Sequence, residues 1–347
     1  MGVALTEFVS GKPITIDSLS GKVVAIDAFN FLYQFLASIR GPDGSLLTDS
    51  KGNVTSHLTG LFSRTSKMMQ VGIKCVFVFD GEHPALKQKE IERRSKLKAA
   101  ARAEYEVAKE REDIEAMKKF AQRTTKLTPE MVEESKALLT AMGLPVVSAP
   151  SEGEAQAAFM AAKGDVDFIA SQDTDSLLFG APRVVRNLSI LGRRKKVSKV
   201  TFEQVSPEVV TLSDVLGELG LDRKQLIVLS ILVGTDFNVG GIKGVGPKTA
   251  LKLVKSTAAA GGDYDTMFES QEWSTFFDYS WHDVYDLFIN MPTTNDYLLD
   301  WKPVNETKLL ELLVDKHEFN SERVKATIAD LKKKTESTAQ KGLGAFF

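Results

Sequence analysis

The sequence contains few residues that could form a disulfide or a zinc site: one cysteine and four histidines among 347 residues. A single cysteine excludes an internal disulfide framework and a cysteine-based zinc site. Cys75 lies in the apolar run IKCVFVF, which predicts a buried thiol acting as a small hydrophobic side chain. The histidines form no Ser-His-Asp pattern, so we expect core or surface roles for all of them: His57, His83, His282 and His317.

The chain also lacks a strong net charge and long apolar segments. Its formal net charge is only −2, so a polyanion would have to be met by local basic patches. No basic and apolar leader opens the sequence and no stretch reaches membrane-spanning length, which predicts an intracellular protein without a membrane partner. Hydrophobic residues make up 43% of the chain, enough to form a large core. The length of 347 residues predicts about two domains.

Short apolar runs alternate with longer segments of helical periodicity. The runs are typical of buried strands and occupy residues 22–27, 74–80, 144–149, 167–173 and 183–188. Residues 55–72 and 128–143 show helical spacing and end in glycine. Continuous apolar strands that alternate with helices predict the α/β class, with a central, mainly parallel sheet covered by helices on both faces.

Seven carboxylates follow these runs or an apolar helix: Asp27, Asp80, Glu152, Glu154, Asp173, Asp175 and Asp236. Ligands bind beyond the carboxyl ends of parallel strands, so we expect these side chains to share one region. Clustered carboxylates raise one another's pKa and need a counter-charge. Oxygen donors with no histidine or cysteine expected beside them favour two Mg²⁺ ions, or Mn²⁺, over zinc. Two such ions can activate water against a phosphodiester.

Each carboxylate taken singly also has a structural interpretation. Ser151 and Glu154 have the spacing of a capping box. Asp173 or Asp175 could cap a helix that begins just after them. A metal site and a set of helix caps are both consistent with the pattern.

Two further segments carry charge in a distinctive way. Residues 83–126 lack a strand pattern, and the balance changes from seven basic and two acidic residues over Lys87–Arg102 to two basic and six acidic over Ala103–Glu115. This predicts exposed, projecting helices, of which a solvated insertion is the plain interpretation. Residues 241–255, GIKGVGPKTALKLVK, predict a helix-hairpin-helix element whose glycines and helix N-terminus grip a phosphate backbone. The alternative there is a glycine cap followed by a new helix.

Seven motifs occur in order along the chain: IDAFNFLYQFLASIRG, TSHLTGLFSRT, VFVFDG, PSEGEAQAA, SQDTDSLLFG, LVGTDFN and GIKGVGPKTA. Together they resemble the flap endonuclease family of the XPG superfamily, and its archaeal branch most. The resemblance covers the whole chain and is looser beyond residue 196. It implies a PIN-like nuclease core and a magnesium-dependent, structure-specific enzyme. Such an enzyme removes 5′ flaps from DNA in Okazaki-fragment maturation and base excision repair, with 5′–3′ exonuclease activity.

The resemblance also implies residue roles. Asp27, Asp80, Glu152 and Glu154 would lean toward one ion, and the remaining three carboxylates toward the other. Residues 83–126 would be the helical arch through which the flap threads. Lys87 and Arg94 would face the scissile phosphate, and Tyr33 would stack on a base. DNA contacts are implied for Gly2, Arg40, Thr55, Arg64, Gly244, Gly246 and Lys248, and a K⁺ ion is implied at the helix-hairpin-helix element.

The last residues, QKGLGAFF, follow a polar segment that predicts a flexible linker. Their spacing resembles the motif that binds the sliding clamp (PCNA), with Gln340, Leu343, Phe346 and Phe347 as anchors. A disordered end is the alternative. Eukaryotic relatives carry a further basic tail, so we expect an archaeal protein, cytoplasmic and nucleoid-associated.

We expect one nuclease body over residues 1–330 and a tail over 331–347. The body would comprise 1–82, the arch 83–126, the internal part 127–238, the hairpin element 239–258 and a helical part 259–330. The protein would be a monomer when free. Alternatives are a long-bubble repair endonuclease or 5′ exonuclease of the same superfamily, a non-catalytic junction scaffold and a metal phosphatase.

Overall fold

A computed structural model describes residues 8–111, 113–121, 123–188, 192–195 and 202–344. Its strands are β1 (Lys12–Pro13), β2 (Val23–Asp27), β3 (Lys74–Phe79), β4 (Val146–Ser148), β5 (Phe168–Ala170), β6 (Arg183–Arg186), β7 (Gly192–Lys195), β8 (Phe202–Val205) and β9 (Glu208–Thr211). Its helices are α1 (Ala28–Ser38), α2 (Ser56–Val71), α3 (Gln88–Glu110), α4 (Ile114–Ala121), α5 (Pro129–Ala141), α6 (Gly153–Lys163), α7 (Asp175–Leu178), α8 (Leu212–Leu219), α9 (Arg223–Val233), α10 (Pro247–Ala259), α11 (Tyr264–Ser270), α12 (Trp273–Phe276), α13 (Trp281–Asn290), α14 (Glu306–Leu310) and α15 (Ser321–Gly344).

The described residues divide into two compact units. The first unit contains those within 8–14, 80–94 and 148–295, and the second contains those within 15–79, 95–147 and 296–344. The expected division into a body over 1–330 and a tail stays a prediction. No helix in the described part of the chain is long and apolar enough to cross a membrane.

The first unit holds four neighbouring strands in the order β1-β9-β6-β5. β5 and β6 pair in parallel, whereas β9 pairs antiparallel with both β6 and β1. β7 and β8 form a separate antiparallel pair. α9 supplies the densest part of this core, with six fully or almost fully buried aliphatic residues between Leu226 and Leu232.

The second unit holds the neighbouring strands β2, β3 and β4. β2 and β3 pair in parallel over Val23–Asp27 and Lys74–Val78. β3 is buried along its whole length after Lys74, including Cys75, as the apolar run predicts. Edge-on aromatic contacts such as Phe31 with Phe77, 6.3 Å between ring centroids, fill the layer between α1 and this strand.

All five strands predicted from apolar runs are present as β2 to β6, and the α/β class with a mainly parallel sheet is confirmed. The pattern missed β1, β7, β8 and β9, none of which is longer than four residues. Helix signals were reliable: Thr128 caps α5 with Pro129 at its first position, and Gly72 ends α2 with φ +98°.

The charged insertion is helical, as its composition predicts. α3 and α4 cover most of residues 88–121, and most of the described side chains from Ser95 to Glu110 are exposed. The end of the chain differs from the expected linker, because α15 continues through residue 344. Residues 332–340 contain no glycine or proline to stop the helix, and Lys, Ala, Glu and Gln favour it.

A buried histidine-carboxylate group lies inside the second unit. His317 is 2% exposed, and its two ring nitrogens lie 3.2 Å from Asp49 Oδ2 and 3.0 Å from Glu134 Oε1. The fully buried His57 places Nε2 3.3 Å from Glu134 Oε2. Burial lowers the pKa of His57 to about 4, although Glu134 acts in the opposite direction.

We expect this histidine to make the fold sensitive to mild acid. Because the unfolded chain binds a proton near pH 6.5 and the folded chain only near 4, stability from His57 is present above 6.5 and lost as pH falls toward 4. The loss is about 3 kcal/mol. Urea unfolding at pH 7 and pH 4.5 measures it, and the loss should shrink in His57→Gln but not in the exposed control His282→Gln. An equal loss in His57→Gln would contradict the assignment.

Candidate active site

Asp80 lies on a short segment that is hydrogen-bonded to the start of α6 in the first unit. Gly81 N donates to Ser151 O at 2.7 Å, and the Ser151 hydroxyl donates to Glu82 O at 2.7 Å. A Cβ at Gly81 would lie 2.2 Å from the carbonyl oxygen of Ala149, so only glycine allows this approach. The result is a fixed distance between two segments that are about 70 residues apart in sequence.

Three metal-ligand side chains meet on these segments. The Asp80, His83 and Glu152 donor atoms all lie within 4.8 Å of one another. Gly153 N donates to Asp80 Oδ1 at 2.7 Å, which orients that carboxylate. His83 Nδ1 lies 3.2 Å from Glu152 Oε1. The expectation that no histidine stands beside the acids was wrong: His83 follows Asp80 by three residues, and the turn through Gly81 brings it to Glu152.

Burial and charge act differently on the two carboxylates. Burial raises the pKa of Asp80, the charge of Glu152 raises it further, and Lys87 only partly offsets this. Burial also raises the pKa of Glu152, but hydrogen bonds and charge from His83 and Lys87 outweigh it and the net pKa is low. The pKa values of these two close carboxylates are therefore shifted in opposite directions, Asp80 upward and Glu152 downward. Such shifts are common at sites that bind cations.

Two basic residues from the start of the insertion lie against these acids. Lys87 is 9% exposed, and its ammonium contacts Glu152 Oε2 and lies 3.9 Å from Asp236 Oδ2. Arg94 binds both oxygens of Asp236, at 2.9 and 2.8 Å. Burial raises the pKa of Asp236, which Arg94 and Lys87 oppose. The predicted pair Lys87 and Arg94 is thus brought to two predicted metal ligands.

A residue that sequence reasoning missed, Glu90, fixes the arginine. Its buried carboxylate accepts from Arg93 at 2.6 and 2.8 Å and also from Arg94 Nε. Burial raises the pKa of Glu90, but the two guanidinium groups outweigh it and leave it lowered. The i, i+3 and i, i+4 spacing on α3 was the available signal.

Asp236 itself lies on a loop fixed by Asn238, a second residue that sequence reasoning missed. Asn238 is fully buried, and its Oδ1 accepts from Thr235 N at 3.0 Å and from the Thr235 hydroxyl at 2.7 Å. Its amide donates to Ile231 O, at 2.7 Å, on α9. These bonds hold the Asp236 loop at the end of that helix.

The helix-cap interpretations are wrong. The N-cap of α6 is Glu152 rather than Ser151, and the side chain of Glu152 makes no capping hydrogen bond. Glu154 instead accepts from Ser171, at 2.7 Å, and from Ser176, at 3.0 Å. α7 begins at Asp175 with Thr174 as N-cap, so neither Asp173 nor Asp175 is the capping residue.

Asp27 and Tyr33 belong to the second unit. Asp27 ends β2 and caps α1, where it accepts from Asn30 N at 3.0 Å while only 7% exposed. Tyr33 is 37% exposed on α1, and the ammonium of Lys98 lies 4.8 Å from its ring centroid. Asp27 therefore combines a helix cap with the strand-end position expected of a metal ligand.

The other residues predicted to contact DNA differ in their exposure and in their hydrogen bonds. Arg40 donates to Gly44 O and to the Thr125 hydroxyl, both at 2.9 Å, so it also joins two loops of the second unit. Thr55 is 6% exposed at the start of α2, and Arg64 is half-buried in the same helix. Gly2, Phe346 and Phe347 lie outside the described residues, and Gln340 and Leu343 are described only as backbone of α15.

The predicted hairpin element, residues 239–258, comprises part of the loop 234–246 and nearly all of α10, and α9 ends before it at Val233. Gly244 has φ +88°, and Gly246 is the N-cap of α10 ahead of Pro247. Gly241 has φ +57°, and a Cβ there would lie 2.3 Å from the backbone of Val233. Lys248 is exposed in the first turn of α10, followed by exposed lysines at 252 and 255. The backbone N–H groups at the start of α10, together with the three exposed lysines, suit a phosphate backbone.

Comparisons with known proteins agree with this architecture. Family models match the XPG N-terminal domain over residues 2–101 and the XPG I-region over residues 143–236. Flap endonuclease 1 of Ignicoccus hospitalis is 52% identical over 362 residues, covering 100% of this chain and 99% of that protein. Flap endonuclease 1 of Pyrococcus abyssi is 48% identical, covering 100% and 98%.

Solved structures give the same result. The flap endonuclease-1 of Methanococcus jannaschii superposes with a TM-score of 0.75 at 40% identity, covering 97% of this chain and all of that one. The catalytic core of Rad2 in complex with DNA substrate gives a TM-score of 0.69 at 25% identity, covering 95% of this chain and all of that one. With identity near one half over its full length and matches to both XPG family models, this chain belongs to the flap endonuclease family of XPG nucleases.

Proposed function

We propose that this protein is a structure-specific 5′ flap endonuclease. It hydrolyses a DNA phosphodiester near the junction of duplex and 5′ single strand, and has 5′–3′ exonuclease activity at the same site. The observation that carries this is the meeting of carboxylates and cations in the first unit: Asp80 and Glu152 with His83, and Asp236 with Lys87 and Arg94. A phosphodiesterase needs carboxylates that bind divalent cations and, beside them, positively charged side chains that bind the phosphate.

The residues present fit divalent cations. Carboxylate oxygens dominate the donor set, and Asp80, His83 and Glu152 converge within 4.8 Å. We propose that two Mg²⁺ or Mn²⁺ ions, when bound, would activate water and polarise the phosphodiester. We propose that in the first unit Asp80, Glu152 and Glu154 serve one ion and Asp173, Asp175 and Asp236 the other. Asp27, at the end of β2 in the second unit, is also proposed as a metal ligand. Glu154 is oriented by the two serine hydroxyls that donate to it.

Lys87 and Arg94 supply positive charge for the phosphate. Their head groups contact Glu152 and Asp236, so a phosphate that reaches these carboxylates also reaches the two cations. Charge that grows on the phosphate oxygens in the transition state is stabilised by such fixed donors. Glu90 keeps the guanidinium of Arg94 in place, since it binds the Nε edge and leaves the NH2 edge toward Asp236.

The remaining residues bind DNA without reading its sequence. We propose that the backbone around Gly244 and Gly246, with Lys248, grips the duplex phosphates, and that a K⁺ ion joins that contact. The exposed ring of Tyr33 offers a stacking surface for any base. Gly2, Arg40, Thr55 and Arg64 are proposed to meet the duplex, and the helices of the insertion to enclose the flap. The substrate setting is Okazaki-fragment maturation and base excision repair, which places the protein with the cell's DNA.

The C-terminal segment is proposed to bind the sliding clamp through Gln340, Leu343, Phe346 and Phe347. Its support is the spacing of these residues, since an apolar residue and two aromatics at this interval can enter one hydrophobic groove. Removing residues 340–347 should leave cleavage by the enzyme alone unchanged and abolish stimulation by added clamp. Stimulation that persists in the truncated protein would exclude this assignment.

Cleavage of DNA of defined shape tests the main proposal. An end-labelled double-flap substrate should be cut in Mg²⁺ near the junction, much faster than single-stranded DNA or flapless duplex of the same sequence. Chelation with EDTA should stop the reaction and added Mg²⁺ should restore it. Equal cutting of all three substrates, or cutting in EDTA, would overturn the proposal.

A further inference from the structure

A histidine lies beside two of the seven carboxylates, Asp80 and Glu152. His83 lies with Asp80 and Glu152 in the group whose donor atoms are all within 4.8 Å. Its side chain is 39% exposed, whereas that of Glu152 is only 9% exposed, so solvent reaches the imidazole while the carboxylate is shielded. An ion entering this site therefore meets a nitrogen donor at its open side.

The backbone that carries His83 is held in place. Glu82, its neighbour, donates from its N–H to Pro150 O at 3.2 Å and accepts the Ser151 hydroxyl through its carbonyl at 2.7 Å. Pro84 follows and restricts the backbone further. Both neighbours fix the imidazole relative to the segment that carries Glu152, so its position is built into the loop.

The spacing of these donors suits shared coordination. Ligands about 2.1 Å from an octahedral ion stand about 3.0 Å apart when adjacent and about 4.2 Å apart when opposite. His83 Nδ1 and Glu152 Oε1 are 3.2 Å apart, close to the adjacent spacing. The ammonium of Lys87 contacts the other oxygen, Oε2, so it does not occupy the oxygen that His83 faces.

We propose that His83 is a nitrogen ligand at the Asp80–Glu152 metal site and that it biases this site toward borderline transition ions such as Mn²⁺ over Mg²⁺. Imidazole is a ligand typical of transition metals, whereas Mg²⁺ takes oxygen donors and retains water. A site of two carboxylates and one imidazole should thus bind Mn²⁺ better than the same site without the imidazole. This rests on the metal-dependent nuclease proposed above and adds which ion the site favours.

The test measures the bound ion itself. Electron spin-echo spectra of the DNA-free protein with one equivalent of Mn²⁺ should show modulation from an imidazole ¹⁴N in the wild type. The modulation should be absent in His83→Ala and unchanged in His282→Ala, a matched control because His282 is also exposed and also faces a carboxylate, Asp265, at 3.6 Å. Titration should show Mn²⁺ affinity lower by about tenfold or more in His83→Ala, with Mg²⁺ affinity changed far less.

A second variant separates ligation from simple positioning. If His83 only donated a hydrogen bond to Glu152, His83→Gln would keep the wild-type Mn²⁺ affinity and the wild type would show no ¹⁴N modulation. Either of those results overturns the proposal. The ¹⁴N modulation and the Mn²⁺ affinity are both measured without DNA cleavage. A protein that binds Mn²⁺ through nitrogen but cuts no flap would therefore refute the proposed function and still support His83 as a ligand.

Discussion

Asp80→Asn should abolish most flap cleavage and at the same time make the metal-free protein more stable. A bound metal ion contributes several kcal/mol to a phosphodiester transition state, so we expect a loss on the order of a thousandfold in single-turnover rate. Asparagine keeps the oxygen that accepts from Gly153 N, so the local fold should be retained. DNA binding in EDTA should be unchanged, because the substitution removes no basic group.

The stability half of this prediction follows from the pKa of Asp80. Burial and the charge of Glu152 raise it, so ionising Asp80 costs more in the folded chain than in the unfolded chain. Stability from this group is therefore full below the ordinary carboxyl pKa and is lost as pH rises through the folded pKa. At pH 7.5 the neutral amide avoids that cost, and thermal unfolding in EDTA should give a higher Tm than the wild type.

The exposed Asp286→Asn provides the matched control for Asp80→Asn. It removes one carboxylate from the same unit, and it should leave both the cleavage rate and the Tm close to those of the wild type. An Asp80→Asn protein that cuts at the wild-type rate would remove this carboxylate from the site. A lower Tm in EDTA would contradict the assigned cost of its charge.

Lys87→Met should lower the cleavage rate by on the order of a hundredfold to a thousandfold, the usual effect of losing one fixed donor to transition-state charge. The ammonium is nearly buried and contacts Glu152 beside Asp236, so its effect should fall on kcat more than on KM. Methionine preserves most of the apolar stem. Rapid-quench single-turnover kinetics at several substrate concentrations separate the two parameters.

Lys89→Met is the control from the first turn of α3, which begins directly after Lys87. Lys89 is two residues away and its side chain is 64% exposed, with Asp278 at 3.0 Å. Its loss should change cleavage by less than about twofold, as is usual for a surface ion pair. If Lys87→Met and Lys89→Met lost the same activity, the loss would come from the reduced positive charge in general, and Lys87 would have no specific role in catalysis.

The two active-site variants should differ in stability although both lose activity. Lys87→Met leaves the buried carboxylate of Glu152 without its ammonium partner, and breaking a buried ion pair by removing one member destabilises. The metal-free Tm should therefore fall in Lys87→Met and rise in Asp80→Asn. If the Tm shifts in opposite directions while both variants lose cleavage, the loss of cleavage is not caused by unfolding and is assigned to the site.

Much of the fold could be read from local patterns. Apolar runs and helical periodicity gave strands β2 to β6 and helices such as α2 and α5, because side-chain burial repeats with the period of the element. The strands missed are β1, β7, β8 and β9, none longer than four residues, and the pairing of β1 with β9 joins segments far apart in sequence. Burial of Cys75 followed in the same way, since its whole run is apolar.

The sequence by itself determined that carboxylates follow strand ends and that glycines and lysines open α10, because these positions are set by the local chain. Only the tertiary structure decided their partners. His83 meets Glu152, 69 positions later in the chain, through the close approach at Gly81. Glu154 binds serines rather than forming a capping box. Such contacts depend on loop geometry, for which sequence periodicity carries no signal.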